Sequence, residues 1–439
     1  MMNNWREMTL SELYEFSSGL SKPKSEFGSG YPFLSFKDVF YNSAVPETLT
    51  EKVQSSDHER NRCSIQRGDV FLTRTSETID ELGMSCVALK DIKNATFNGF
   101  SKRLRPKTSG VVHPEFSRYA FRSKIFRDSV TSMTSMSTRA SLNNEMLGRL
   151  KIKLPSYQHQ VKIGSILTSL DDKIELNRKT NETLEAMART LFQAWFVDFE
   201  PVRAKMEGHW KRGQSLPGLP AHLYDLFPDR LVESEQGEIP KGWTYSSLDK
   251  IAIYTNGLAL QKYPPETPND YLPVIKIAQL RAGNTNGADK ASTQLKPEYV
   301  INDGDVLFSW SGSLEVEVWS GGRGALNQHL FKVTSTNAPK WYYFFATRHH
   351  LKNFREIAAD KATTMGHIQR KHLTEAVIAL PPAGQLTRFD QMIAPMFKSL
   401  LGNLVQSRSL AQLRDTLLPR LMSGELRIPD AERIAGEAL

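Results

Sequence analysis

Two short stretches in a chain of 439 residues carry the side-chain types that grip a polyanion. Ser135-Met136-Ser137-Thr138-Arg139 and Ala362-Thr363-Thr364-Met365-Gly366-His367 are hydroxyl-rich and flanked by basic or amide residues, Gln369 and Arg370 among them. Hydroxyls and backbone amides hold phosphate oxygens, whereas Arg139 and Gln369 are of the kind that reaches base edges. The same chemistry is offered by Lys102, Arg103 and Arg105, by Arg74 just past an apolar run, and by Arg323 with Asn327, Gln328 and His329. Lys276, Gln279 and Arg281 follow a further apolar run. About half of these residues are expected to touch nucleic acid, because phosphate and base contacts use only part of a basic face.

Charge supports this reading locally more than globally. The net charge is +8, from 56 basic and 48 acidic residues. Residues 102–153 alone hold twelve Lys/Arg against three Asp/Glu. A focused positive patch favours polyanions, nucleic acid first.

Reacting constellations are missing. No Gly-x-x-x-x-Gly-Lys phosphate loop occurs, and Gly321-Gly322-Arg323-Gly324 has the composition of a turn rather than the spacing of a dinucleotide fingerprint. Pro381-Pro382 lacks the preceding Asn or Asp and the following aromatic that an amino-methyltransferase uses. Asp91-Ile92-Lys93 has no upstream Pro-Asp partner for a nuclease centre. His329, His349, His350, His367 and His372 form no metal-ligand spacing. Cys63 and Cys86 read as free thiols of a reducing cytoplasm. The expectation is a chain with no catalytic residues, no metal and no bound cofactor. With no run of eighteen apolar residues and no apolar signal core at the start, a cytoplasmic chain without membrane contact is expected.

The elements that position these residues come in two copies. Leu154-Pro155 recurs as Leu380-Pro381, an offset of 226 that also carries Leu142 onto Ile368, Ile152 onto Ile378 and Thr190-Leu191 onto Thr416-Leu417. Trp5, Leu10, Leu13 and Gly19 match Trp243, Leu248, Ile251 and Gly257 at 238, and Gly68-Asp69-Val70 matches Gly304-Asp305-Val306 at 236. Two diverged copies predict two related units about a pseudo-twofold axis. Strands are expected at 70–72, 87–89, 150–154, 274–277, 306–308 and 376–380, and helices at 114–126 and 340–357.

Each copy then changes character. Ile163, Leu167, Leu170, Ile174, Asn177, Asn181, Leu184, Ala188, Leu191 and Trp195 step by four and three. Phe389, Ile393, Met396, Leu400, Asn403, Ser407, Leu410, Arg414, Leu417 and Leu421 repeat that register at an offset of 226. A 3.5-residue period sustained over more than four heptads is a coiled-coil seam, here about 40 residues and roughly 60 Å long. Asn177 and Asn403 share one heptad position near mid-helix. Packed antiparallel, they would nearly face each other and fix register. Arg414 replaces Ala188 in the second copy, which suggests an end turned towards a partner or solvent. The prolines of 201–242 predict a connector through which no regular helix runs.

The division expected is α+β: a recognition domain at 1–155, a helical region at 156–200, a connector at 201–240, a second recognition domain at 241–383, a distal helical region at 384–425 and a tail at 426–439.

Ala188-Arg189-Thr190-Leu191-Phe192-Gln193-Ala194-Trp195-Phe196-Val197-Asp198-Phe199-Glu200-Pro201 resembles the central conserved region of specificity subunits of type I restriction–modification systems. Arg414-Asp415-Thr416-Leu417-Leu418-Pro419-Arg420-Leu421-Met422-Ser423-Gly424-Glu425-Leu426 resembles their distal conserved region. Leu226-Phe227-Pro228-Asp229-Arg230 and Gly237-Glu238-Ile239-Pro240-Lys241-Gly242-Trp243 are similar to the lead-in of the family's second target-recognition domain.

The resemblance implies a non-catalytic subunit with two target-recognition domains separated by an antiparallel helix pair that acts as a ruler. Each domain would read half of a bipartite, asymmetric site in double-stranded DNA. Two modification (methyltransferase) subunits using S-adenosylmethionine would dock on the helices, with Trp195, Phe196 and Arg420 as candidate contacts. Restriction subunits using ATP and magnesium would add to that core. A stand-alone endonuclease or methyltransferase, and a two-armed protein scaffold, are the alternatives.

Overall fold

A computed structural model of the chain describes residues 5–76, 81–133, 140–360 and 366–439. The chain divides into two units, Met1–Ile174 with Leu410–Leu439, and Glu175–Ser409. Each mixes strands and helices, and each draws on both of the long helices, Tyr157–Phe196 and Ala383–Ser423.

In the first unit Val70–Thr73 lies between Ser101–Pro106 and Ser85–Val87, and Tyr14–Ser18 completes an antiparallel four-stranded sheet. Every residue of Val70–Thr73 is buried, as its apolar run requires of a strand with neighbours on both sides. Gly68, at φ 92, makes the preceding turn, and the Asp69 carboxylate accepts the Gln66 N–H at 2.8 Å. A second sheet pairs Phe27–Leu34 in parallel with Thr96–Phe97 and antiparallel with Lys52–Val53. Arg6–Thr9 pairs with Lys151–Leu154.

The second unit repeats each of these pairings. Val306–Ser309 lies between Leu330–Thr334 and Val316–Val318, with Ile253–Asn256 outside. Gly304, at φ 87, makes the turn, and Asp305 accepts the Asn302 N–H at 2.8 Å. Leu272–Ile275 runs parallel to Gly324–Leu326, and Thr244–Ser247 pairs with Val377–Leu380. The repeated Gly-Asp-Val thus marks one turn built twice.

Some boundaries differ from expectation for local reasons. The strand expected at 87–89 is Ser85–Val87, and the one at 274–277 ends at Ile275, where the Lys276 N–H turns to Gln279 Oε1 (3.3 Å) and the helix Ile277–Ala282 begins. The helix expected at 114–126 is two, Pro114–Ala120 and Lys124–Met133. Buried Ser123 separates them: its hydroxyl donates to the Ala120 carbonyl at 2.7 Å and accepts from the Phe126 N–H at 3.4 Å. The helix expected at 340–357 is likewise divided, into Lys340–His349 and Leu351–Asp360. A helix does enter the connector, Glu200–Met206, because Pro201 sits in its first turn, where a missing N–H costs nothing.

The long helices contribute to the core of each unit. In the first, Ile163, Leu167 and Leu170 share an apolar cluster with Leu410, Leu417 and Leu421, and Ile174 packs against it. In the second, Phe389 and Ile393 are buried among Phe192, Trp195 and Phe196, while Leu191 and Met396 pack at the edge. Leu400 is buried and Leu184 half-buried. Polar residues continue the helix seam within the second unit. Asn177 is 3% exposed and donates to Gln406 Oε1 (2.9 Å) and Ser407 Oγ (3.3 Å). Asn403 Nδ2 donates to Asn181 Oδ1 (2.9 Å), and Asn181 Nδ2 to the Leu400 carbonyl (3.1 Å). Rising numbers on one helix meet falling numbers on the other, so the pair is antiparallel here. The amides satisfy one another, as burial requires.

Two expectations about the helices are corrected. Arg414 does not turn away: its guanidinium reaches Asp171 of the first helix at 2.6 Å. Asp171 also pairs with Arg118 (2.9 Å) and accepts from Tyr119 OH (2.7 Å), so a charge at the edge of the core is met by two cations and a phenol. Trp195 and Phe196 are not surface contacts, being 1% and 0% exposed. Phe196 stacks on Trp243 at 5.7 Å and lies near Trp341, Tyr342 and Phe389, while Trp195 meets Phe227 of the connector at 5.5 Å. Folding the connector back supplies aromatic partners that make the helix end interior. Arg420 is half-buried and pairs with Glu425 at 3.1 Å. No helix among the described residues is long and apolar enough to cross a membrane.

Candidate nucleic-acid interface

One turn is built in both units and gathers several of the expected residues. In the second unit it follows Gly324–Leu326. Asn327, 6% exposed, accepts the His329 N–H on its side-chain oxygen at 3.2 Å, and its carbonyl receives the Leu330 N–H at 3.0 Å. In the first unit it follows Thr96–Phe97. Asn98, 4% exposed, accepts the Phe100 N–H at 3.0 Å, and its carbonyl receives the Ser101 N–H at 3.2 Å. Leu20 bridges to Asn98 and Leu258 to Asn327, both in parallel. A Cβ on Gly19 would fall on the Phe97 carbonyl, and one on Gly257 on the Asn327 carbonyl. The matched glycines therefore permit close backbone approach, and the matched asparagines fix the turn's shape.

The neighbours of the turn are also equivalent in backbone and different in side chain. The Phe100 carbonyl accepts the Arg74 N–H at 2.9 Å, and the His329 carbonyl accepts the Trp310 N–H at 3.3 Å. The Arg74 carbonyl then receives Leu142, and the Trp310 carbonyl receives Ile368. In the second unit Trp310 packs tilted over His329 (5.9 Å) and edge-on to His367 (6.3 Å), and its indole N–H donates to Asn256 Oδ1 at 2.9 Å. Ser311 Oγ and His329 Nδ1 are hydrogen-bonded at 3.0 Å. Gln328 Oε1 is buried without a partner among the described residues. Exposed Arg370 lies over the Phe331 ring, and exposed Gln369 is adjacent. Lys276 stands one residue past the Ile275 carbonyl that receives the Asn327 N–H, is exposed, and pairs with Asp289.

Around the first turn the chemistry is cationic and apolar. Phe100 is 65% exposed. Lys102 Nζ donates to Ser18 Oγ (2.9 Å) and Asn144 Oδ1 (2.8 Å), and burial, with Arg74 nearby, holds its pKa below the usual lysine value.

Other expected contacts are removed by their geometry. Arg103 is 8% exposed and donates to the Arg62 (3.2 Å) and Ser64 (2.7 Å) carbonyls. Arg105 holds both oxygens of buried Asp69, at 2.7 and 2.6 Å. These guanidiniums tie the strand Ser101–Pro106 to the segment 62–69 and do not face outward. The basic excess of 102–153 is largely absorbed in the same way. Arg122 bonds the carbonyls of Ser85, Phe40 and Asn42, Arg127 that of Leu82, and Arg118 pairs with Asp171. Asn327 is a structural pin, and Gln279 is buried, with its amide on the Asn286 carbonyl at 3.4 Å. Arg281 is exposed near Glu315, and Arg323 is exposed on its turn. Ser137, Thr138, Arg139, Thr363 and Thr364 lie outside the described residues.

Sequence reasoning missed Phe100, Trp310, Asn256 and Ser18. The signal that could have found them is the Gly19/Gly257 match, which pins the turn they surround.

The comparisons agree with this duplicated geometry. The family model for the type I restriction modification DNA specificity domain matches residues 2–186 and again 240–413. The type I restriction enzyme MjaIX specificity subunit of Methanocaldococcus jannaschii is 26% identical over 97% of this chain and 94% of its own length. The HindI specificity subunit of Haemophilus influenzae is 23% identical over 97% of this chain and 100% of its own. The fold is shared with the crystal structure of the S subunit from M. genitalium, at a TM-score of 0.56, 13% identity and 96% coverage of each chain. With both of its halves matched by that model, the chain belongs to the type I restriction modification DNA specificity family.

Proposed function

We propose that each unit of this chain reads one half of a bipartite, asymmetric site in duplex DNA through the face that carries its Asn-pinned turn. The chain is the specificity subunit of a type I restriction–modification system, the recognition rather than the catalytic component. The observation that carries the two-half reading is the recurrence of one backbone turn with different surroundings. Like scaffolds position the same way, and unlike tips select unlike sequences.

Assembly with the system's other subunits follows from that role. Two modification subunits, binding S-adenosylmethionine, would dock on the helical regions, and restriction subunits using ATP and magnesium would join them. In support, the first long helix leaves Met187 52% exposed beside an apolar groove lined by Thr190, Leu191, Pro220 and Met392. Apolar surface of this kind is usual where a partner sits.

The test is duplex binding by the chain purified together with its modification subunit, titrated with salt. A steep fall in affinity with salt, together with preference for one sequence over scrambled duplex, is expected. Equal affinity for all sequences would overturn the reading.

A further inference from the structure

The two turns differ where their backbones do not, at the tip. Resting on the reading of each unit as a half-site reader, we propose that residues 99–100 and 328–329 are specificity-determining. Phe100 reads a thymine methyl group in one half-site, and Gln328 with His329 reads a purine edge in the other.

The geometry restricts what each tip can recognise. Phe100 is held by its own N–H on Asn98 Oδ1 and by its carbonyl on the Arg74 N–H, so the ring's base is fixed while the ring stands 65% exposed. An exposed phenyl held this way gains nothing from the fold. Half-buried Arg74 stands at the same turn, and Lys102, buried with its ammonium on the neutral Ser18 and Asn144, leaves its charge uncompensated, so the surroundings of the ring are positive and favour a polyanion. A phenyl ring has neither donor nor acceptor. Among base-pair features in the major groove, the one it can select is the thymine C5-methyl.

The second tip has the opposite character. Gln328 is half-buried and its side-chain oxygen has no partner among the described residues, a costly state that turning the amide outward to a donor on a ligand would relieve. Its amide nitrogen lies 3.4 Å from His329 Nε2, so the two side chains present one polar edge. Ser311 holds the far side of the imidazole, and Trp310 packs against its ring. Both imidazole nitrogens are engaged, Nδ1 with Ser311 and Nε2 with Gln328, so His329 orients and Gln328 reads: a side chain offering both donor and acceptor matches N6 and N7 of adenine.

The experiment uses the assembled complex of this chain with its modification subunit. The methylated motif of the wild-type complex defines the half-sites. Synthetic duplexes then replace each dT of the half-site assigned to the first unit with deoxyuridine, which removes the methyl alone. At one position the wild-type complex is expected to lose about fourfold in affinity, the worth of one methyl taken from water. Phe100→Ala should erase that difference and leave the second half-site unchanged. Gln328→Leu should relax one position of the second half-site only. Because Phe100 is exposed, the variant's unchanged melting temperature serves as the folding control.

No methyl-sensitive position, or an undiminished difference in Phe100→Ala, overturns the inference while the half-site reading stands. A wild-type complex with no motif and no sequence preference overturns both.

Discussion

Where the first unit sets Arg74 and Lys102 beside its turn, the second sets Trp310 and Phe331. Where the first exposes Phe100, the second holds His329 between Ser311 and Trp310. Beneath them the pins are alike: Asn98 and Asn327 bond the same amide of the turn, and Gly19 and Gly257 admit the same backbone approach. Shape is thus fixed by buried residues that duplicate faithfully. At the first tip the chemistry is set by Phe100, an exposed ring that bears little of the fold's energy. A unit built this way changes what it touches without refolding, because exposed substitutions stay within about 0.5 kcal/mol.

The interior of the second unit is the place to break this comparison most severely. Phe196→Ala should cost about 3–5 kcal/mol, since an aromatic ring with several aromatic neighbours is lost from a closed core. Hydrogen exchange on the full chain should localise the loss of protection to the second unit. Equal loss throughout would mean that the units do not open separately.

Next come the glycines. Gly19→Ala and Gly257→Ala should each destabilise their own unit by about 1–3 kcal/mol, because the new methyl meets backbone carbonyls rather than movable side chains. Unequal effects in thermal melting would show that the two turns are not equivalently built.

Arg103→Ala separates scaffold from tip in the first unit. The Arg62 carbonyl loses its Arg103 donor while the Ser64 carbonyl keeps Arg105, at about 1 kcal/mol, and duplex affinity measured on the folded complex should be unchanged. Lost affinity with unchanged melting would return Arg103 to the recognition face.

The last effect is on pH dependence and is felt only below neutral pH. Burial, next to His349, lowers the His350 pKa to about 4, and its ring bonds the Val377 carbonyl at 3.0 Å. The unfolded value is near 6.5. Between those values the unfolded chain takes up a proton that the folded unit does not. The stability due to neutral His350 is therefore fully present above about pH 6.5 and falls as pH drops towards 4. His350→Gln should flatten that part of the melting profile, and an unaltered slope would exclude His350 as its source.

The repeat was legible because buried positions keep residue type. Gly-Asp-Val, Leu-Pro and the glycines pointed to turns and strands that the structure builds twice. The helix register was legible because a 3.5-residue period leaves one face to bury. Arg103 and Arg105 misled because a guanidinium bonded to carbonyls and one facing solvent have the same letter. Phe196 misled for the converse reason: an aromatic cluster at a helix end looks like a docking face until Trp243 and Phe227 are known to fold over it. Phe100 carried no signal of its own, since an isolated exposed aromatic takes its meaning from the turn beneath.

On the function proposed above, this chain gives a methyltransferase its target in two halves. Sequencing the DNA methylation of cells that carry the partner modification gene, with and without this chain, tests it most directly. A bipartite adenine-methylation motif with two unlike halves, appearing only when the chain is present, is expected. A stable complex that leaves no new motif, or a motif unaffected by the chain's removal, would contradict it.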